Sequence, residues 1–190
     1  ALVSVGGHES SPNPRLFRRG SLPVLDPFSG SIRPVRLGRV TARSGDMAVT
    51  CIQTSVRLAQ SGCVQGIVTA PINKHAIHLA GHTYRGHTEM LADLTNAKES
   101  GMMIVGGPLK IVFATTHLAL RKVPNVLTPA TILRSIRLAH RGLIRLFHIQ
   151  KPRIGVAGLN PHAGENGLFG DEEDRLIRPA VRQAKKQGIA

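Results

Sequence analysis

Four short apolar runs, each followed by polar or glycine-rich residues, constrain this chain more than any other feature. They are VQGIVTAP (64–71), GMMIV (101–105), LKIVFATTH (109–117) and RIGVAGLN (153–160). Each is too short for a buried helix and reads as a buried strand. Between them the apolar period changes to that of helices. From Gly45, the residues Val49, Ile52, Val56 and Ala59 predict a helix that ends at Ser61-Gly62. NKHAIHLAG predicts a short helix stopped by Gly81, and GHTEMLADLT opens another near Thr88. Thr128-Pro129 forms a cap and first-turn pair for a helix to about His148, with Ile132, Leu133, Ile136, Leu143 and Phe147 inward. The acids 171–174 begin a last helix through Lys186, with Leu176, Ile177, Ala180, Val181 and Ala184 on its apolar face. Acids at its start and Lys185-Lys186 at its end suit the helix dipole. Strands alternating with helices predict an α/β layered fold, a parallel or mixed sheet flanked by helices. Ahead of Gly45 the periodicity is weak, with LPVLD (22–26) and PVRLGRVT (34–41) as candidate strands.

Composition narrows the class. At 190 residues and 42% hydrophobic, the chain can bury a substantial core, and with no Trp and one Tyr that core is aliphatic. No apolar run reaches the ~20 residues of a membrane span, and no basic segment precedes an apolar one as in a signal peptide. The expectation is a cytoplasmic protein with no membrane partner. The two cysteines, Cys51 and Cys63, make no disulfide framework and read as small buried hydrophobes. The net charge of +14 suits anionic partners. Its arginines are dispersed, however, and Arg134, Arg137, Arg141 and Arg145 follow helical spacing opposite an apolar face, as a solvated helix surface does. Without aromatic interleaving or a zinc or RNP-type motif, nucleic acid is the weaker reading.

Chemistry gathers at three predicted strand ends: Thr69 to Lys74, Thr115-Thr116-His117, and Leu159-Asn160-Pro161-His162. Ligands of α/β sheets bind beyond the carboxyl ends of strands. His117 and His162 are each candidate metal ligands with small neighbours; the alternative for either is a loop histidine that bonds locally. GHTE (86–89) sets His87 and Thr88 at a helix start, where backbone N–H groups favour an anion, or where Thr88 simply caps. The loop GENGLFG (164–170) is neither a Rossmann nor a P-loop fingerprint. Its glycines let the chain turn beside His162, while Glu165 either orients a ligand or faces water. The DEED run (171–174) reads as a helix start only.

Taken together, TAPINK (69–74), AGHTYRGHTE (80–89), TTHLALRKVP (115–124) and GLNPHAGENGLFGDEE (158–173) resemble the successive signature segments of the PdxA family. The resemblance runs from about residue 38 to the end, and residues 1–37 match poorly. It implies a fold like the isocitrate and isopropylmalate dehydrogenases, two α/β lobes working as a homodimer with the active site at the interface. Of that fold, residues 38–190 would be part. By position, it implies that His87 and Thr88 contact substrate, that His117 and His162 are two of three ligands to a divalent metal, and that Lys74 is a catalytic lysine lining the cleft. The third histidine belongs to a family segment without a counterpart here, so the expectation is an incomplete member.

The activity implied is a metal-assisted oxidation of 4-phosphooxy-L-threonine by NAD (or NADP), with decarboxylation to 3-amino-2-oxopropyl phosphate, in pyridoxal phosphate synthesis. Related substrates within the family are phosphothreonate, phosphoerythronate and a cis-dihydrodiol dicarboxylate. Zn²⁺, Co²⁺ or Ni²⁺ suit imidazole, and Mg²⁺ or Mn²⁺ an oxygen-rich substrate. The rival readings are an inactive fragment and a basic anion- or nucleic-acid-binding domain.

Overall fold

The computed structural model describes residues 2–6, 18–28 and 35–190. Its elements are strands and helices in an α/β chain, divided into two compact units between Glu99 and Ser100.

In the first unit, β1 (Leu2–Gly6) pairs in parallel with β2 (Leu22–Asp26), in the register Leu2↔Leu22 to Gly6↔Asp26. The LPVLD strand is therefore present, and its partner β1 had no signal in the sequence. Helix α1 (Ala42–Gln60) starts at a capping box: Thr41 Oγ1 accepts the N–H of Ser44, and Ser44 Oγ accepts the N–H of Thr41. Its inward stripe is Gly45, Val49, Ile52 and Val56. Gly45 is required there, because a Cβ would lie 2.0 Å from the carbonyl oxygen of Ala76 in α2 (Lys74–Leu79). The close approach closes a core of Val49, Ile52, Val56 and Ile77 with Met90 of α3 (His87–Leu94).

In the second unit, β3 (Met103–Gly106) and β4 (Leu109–Val112) form an antiparallel hairpin. Gly107 turns it at φ +51°. A short helix α4 (Val123–Val126) leads to α5 (Pro129–Arg145), capped by the box of Thr128 with Thr131 and opened by Pro129. A π-helical turn, Glu173–Ile177, runs into α6 (Arg178–Lys186). Ile132, Leu133 and Ile136 of α5 pack on Leu176, Ala180 and Ala184, with Leu127 and Ile189 completing the core. Arg134, Arg137, Arg141 and Arg145 are exposed, as their spacing predicts. Among the described residues no helix is long and apolar enough to cross a membrane.

Several expectations are corrected. Residues 35–41 form no strand: Gly38 turns the chain at φ +76° and Leu37 is 97% exposed, while Pro34 lies outside the described residues. Segments 64–71 and 153–160 run without ladder partners. A strand needs a neighbour for its N–H and C=O groups, and among the described residues none pairs with them. Val68 accordingly stands fully exposed, and Ile154 N–H donates to the Ala190 oxygen instead of to a neighbouring strand. In place of a continuous parallel or mixed sheet, the described residues form two two-stranded sheets. The strand expected over 109–117 stops at Val112, and the helix expected to His148 stops at Arg145. Cys51 is exposed and Cys63 half-buried, not buried. Cys51 precedes Ile52 by one residue, about 100° around the helix from the inward stripe.

Candidate functional site

The loop that carries His162 is an organised polar structure. Asn160 starts it, its Oδ1 accepting the N–H of His162 at 2.9 Å while its carbonyl accepts Ala163 N–H at 2.8 Å. Five successive residues, Ala163 to Gly167, then have positive φ. Left-handed conformations are costly for all but glycine, and three of the five are Ala163, Glu165 and Asn166. Bonds from Gly167 and Phe169 N–H to the Gly164 oxygen, at 2.9 and 3.1 Å, offset that strain.

The turn brings Glu165 Oε1 to 2.7 Å from His162 Nδ1, and tilts the Phe169 ring against the imidazole at 5.2 Å between centroids. An ionised carboxylate only accepts, so Nδ1 donates to Glu165, and in the neutral imidazole the lone pair then lies on Nε2. Glu165 is solvent-exposed and at the same time contacts the His162 ring.

In the sequence the whole acidic run reads as a helix start, which leaves Glu173 out of the site. Asp171 and Asp174 do pair with Arg175 and Arg178 along the helix. Glu173 instead is 7% exposed, and its Oε1 accepts the N–H groups of Leu159 (2.8 Å) and Asn160 (3.1 Å). The Asn160 bond above all holds its carboxyl below the ordinary glutamate value, with help from Leu159 and the Arg178 charge and against burial, which pushes it up. The signal was available: Glu173 falls three and seven residues before Leu176 and Ala180, on the inward stripe. An acid there must find donors.

His117 sits differently. Its φ is +57° and its side chain is exposed, with no hydrogen bond to its ring among the described residues. Thr115 and Leu159, which lead to His117 and His162, line one cavity of about 790 Å³ with the inward face of α5. No group of three or more His, Cys, Asp or Glu side chains gathers as a metal cage among the described residues.

Lys74, His87 and Thr88 belong to the first unit. Lys74 opens α2 and is exposed; the cap is Asn73, whose Oδ1 accepts Ala76 N–H at 2.9 Å. A lysine in a first turn runs against the helix dipole. α3 begins at His87, with Gly86 as a cap lacking any side-chain bond, so Thr88 is not the cap. His87 Nε2 and Glu89 Oε2 are buried without a partner among the described residues. Natural proteins rarely leave such atoms unsatisfied, and a ligand is one way to satisfy them. The loop before them is tied down by Tyr84 Oη, which donates to Asp93 Oδ2 at 2.6 Å.

The chain is similar to known proteins over nearly its whole length. A family described as "Pyridoxal phosphate biosynthetic protein PdxA" matches residues 7–190. A D-threonate 4-phosphate dehydrogenase of Salmonella typhimurium is 45% identical over 173 residues, 91% of this chain and 53% of that one. A 4-hydroxythreonine-4-phosphate dehydrogenase of Desulfosudis oleivorans is 41% identical, over 93% of this chain and 52% of that one. The crystal structure of 4-hydroxythreonine-4-phosphate dehydrogenase from Klebsiella pneumoniae superposes with a TM-score of 0.85 at 42% identity, covering 99% of this chain and 55% of that one. The chain thus spans about half the length of the relatives it matches.

Proposed function

The chain belongs to the PdxA family, and from that premise we propose that it serves an NAD-dependent dehydrogenase of a four-carbon, 4-phosphorylated hydroxy acid. The reaction moves a hydride from the substrate's C3 to the nicotinamide and releases the hydroxyl proton. The resulting β-keto acid then loses its carboxylate as CO₂. With 4-phosphooxy-L-threonine the product is 3-amino-2-oxopropyl phosphate. A second reading, D-threonate 4-phosphate as substrate, is favoured by the 45% identity to the Salmonella typhimurium enzyme of that name.

The observation that carries the reading is the state of His162, held on Nδ1 by Glu165 with Nε2 left to bind a metal. His117 stands at the end of a segment that lines the same cavity. Imidazoles suit a divalent metal, and in this reading His117 and His162 are the two ligands that the described residues offer it. When bound, such a cation supplies a Lewis acid that eases loss of the hydroxyl proton and steadies the charge that decarboxylation develops. The rest falls to the chain's own groups. His87 and Thr88 hydrogen-bond the substrate, which satisfies the buried His87 Nε2. By its position in the family segment TAPINK, Lys74 is the catalytic lysine of this reading. A two-lobed fold like that of isocitrate and isopropylmalate dehydrogenases, and a homodimer, go with this proposal.

The test is NADH formation with each phosphorylated acid, in turn with Zn²⁺, Mg²⁺, Mn²⁺, Co²⁺ and Ni²⁺, and with NADP in place of NAD. Reduction with one of the two acids, lost in His162→Ala, is expected. No reduction with any of them, in a folded protein, would overturn the dehydrogenase reading.

A further inference from the structure

We propose that Glu173 is a positioning residue for His162, a carboxylate clamp that fixes the loop from outside it; the consequence for metal binding rests on the reading of His162 as a ligand. Three observations carry it. Oε1 of Glu173 accepts both N–H groups at the entrance of the loop, Leu159 at 2.8 Å and Asn160 at 3.1 Å. Two glycines make room for the carboxylate: a Cβ on Gly158 would lie 3.2 Å from Oε1, and one on Gly164 3.2 Å from Oε2. The carboxylate is therefore bonded to the loop ahead of His162 and faces Gly164 beyond it, where a side chain would crowd it. And the carboxylate itself is buried on the first turn of a helix whose next inward residues, Leu176 and Ala180, belong to the core.

The chain of bonds from core to imidazole is continuous. Glu173 fixes the backbone of Asn160, the Asn160 side chain fixes the backbone of His162 at 2.9 Å, and the His162 carbonyl accepts Glu165 N–H at 3.1 Å. Glu165 in turn holds the ring at Nδ1. The loop has few apolar contacts of its own and several strained residues, so without an anchor its entropy favours opening. Bonds to a charged acceptor are the stronger kind, and one rigid acceptor serving two donors at the loop entrance supplies that anchor. Outer carboxylates of this sort orient metal ligands without touching the metal.

The test compares Glu173→Ala and Glu173→Gln with the wild-type chain, without metal and with Co²⁺ as probe. Without metal, nitrogen-15 NMR reads the tautomer of the His162 ring, and hydrogen exchange reads the amides of Leu159, Asn160, His162 and Ala163. In Glu173→Ala the preference for a proton on Nδ1 is expected to fade, and the His162 and Ala163 amides to exchange at least about tenfold faster. Glu173→Gln, which keeps the volume and an acceptor, shows the same changes in smaller degree and covers the case in which the alanine variant does not fold. A variant that folds, with His162 tautomer and exchange at His162 and Ala163 as in the wild type, overturns the proposal even if its melting temperature drops. With Co²⁺, the folded alanine variant is expected to bind about 10–100-fold more weakly. Wild-type affinity in that variant overturns the proposal's consequence for the metal. If the wild-type chain itself binds no Co²⁺ through His162, the metal reading fails, and the NMR arm still decides the positioning role.

Discussion

His162 and His117 stand at corresponding places, each just beyond an apolar run, yet the protein treats them differently. His162 is held from three directions: its ring by Glu165 and Phe169, its backbone by Asn160, and its loop by Glu173. His117 has a left-handed backbone and an exposed ring with no bond among the described residues. Strain lies at His117 itself and, next to His162, in residues 163–167, and the bonds that offset it are those of the His162 loop. Of two proposed ligands, then, one is preorganised, and the other takes its final position when something binds. Preorganisation lowers the entropy lost on binding, so the two should contribute unequally.

The largest effect expected from breaking this contrast is at Gly164. A Cβ there would lie 2.7 Å from the Gly170 oxygen at φ +77°. Gly164→Ala therefore destabilises the His162 loop by roughly 3 kcal/mol, the sum of backbone strain and overpacking. Denaturant unfolding measures the loss, and NMR should show the His162 ring losing its single tautomer.

Acid sharpens the contrast next. The Glu173 carboxyl is held below its ordinary value in the folded chain, chiefly by the Asn160 N–H. Its stabilising contribution is thus fully present above the ordinary carboxylate range and drains away as pH falls through the folded pKa. Glu173→Gln removes it, so the stability gap between wild type and variant should be widest near neutral pH and close in acid. Unfolding curves across pH test this; a gap that widens on acidification would contradict the clamp's charge.

Smaller effects follow at the loosely held histidine and at the surface pair. His117→Gly deletes the imidazole but relieves a left-handed residue, and the unfolded-state entropy of glycine offsets the gain, leaving stability within about 1 kcal/mol of wild type. Thermal melting checks it. Glu165→Gln alters an exposed pair and costs under about 1 kcal/mol, yet it should move the His162 tautomer, which nitrogen-15 shifts report.

What the sequence made legible follows from the range of each interaction. Helix period and caps are local: Thr128-Pro129, the stop at Gly81 and Val49, Ile52 and Val56 of the α1 stripe appear as the sequence predicts, while Ala59 is only half-buried and Gly45 takes the fourth inward place. Strands depend on partners far along the chain, and so 64–71 and 153–160 read as strands although nothing among the described residues pairs with them. His162 was legible as a loop histidine with small neighbours. Its orientation was not, because it rests on five successive positive-φ residues that no single-residue preference announces. Glu173 lay between the two cases. Its place on the apolar stripe was written in the spacing, but the donors it serves are 13 and 14 residues away.

The most direct measurement is a Co²⁺ titration followed by visible absorption, on the wild-type chain, His162→Ala and His117→Ala. Both variants should bind more weakly than wild type, with the larger loss in His162→Ala, because that position is the preorganised one. Cobalt binding unchanged by both substitutions would contradict the account.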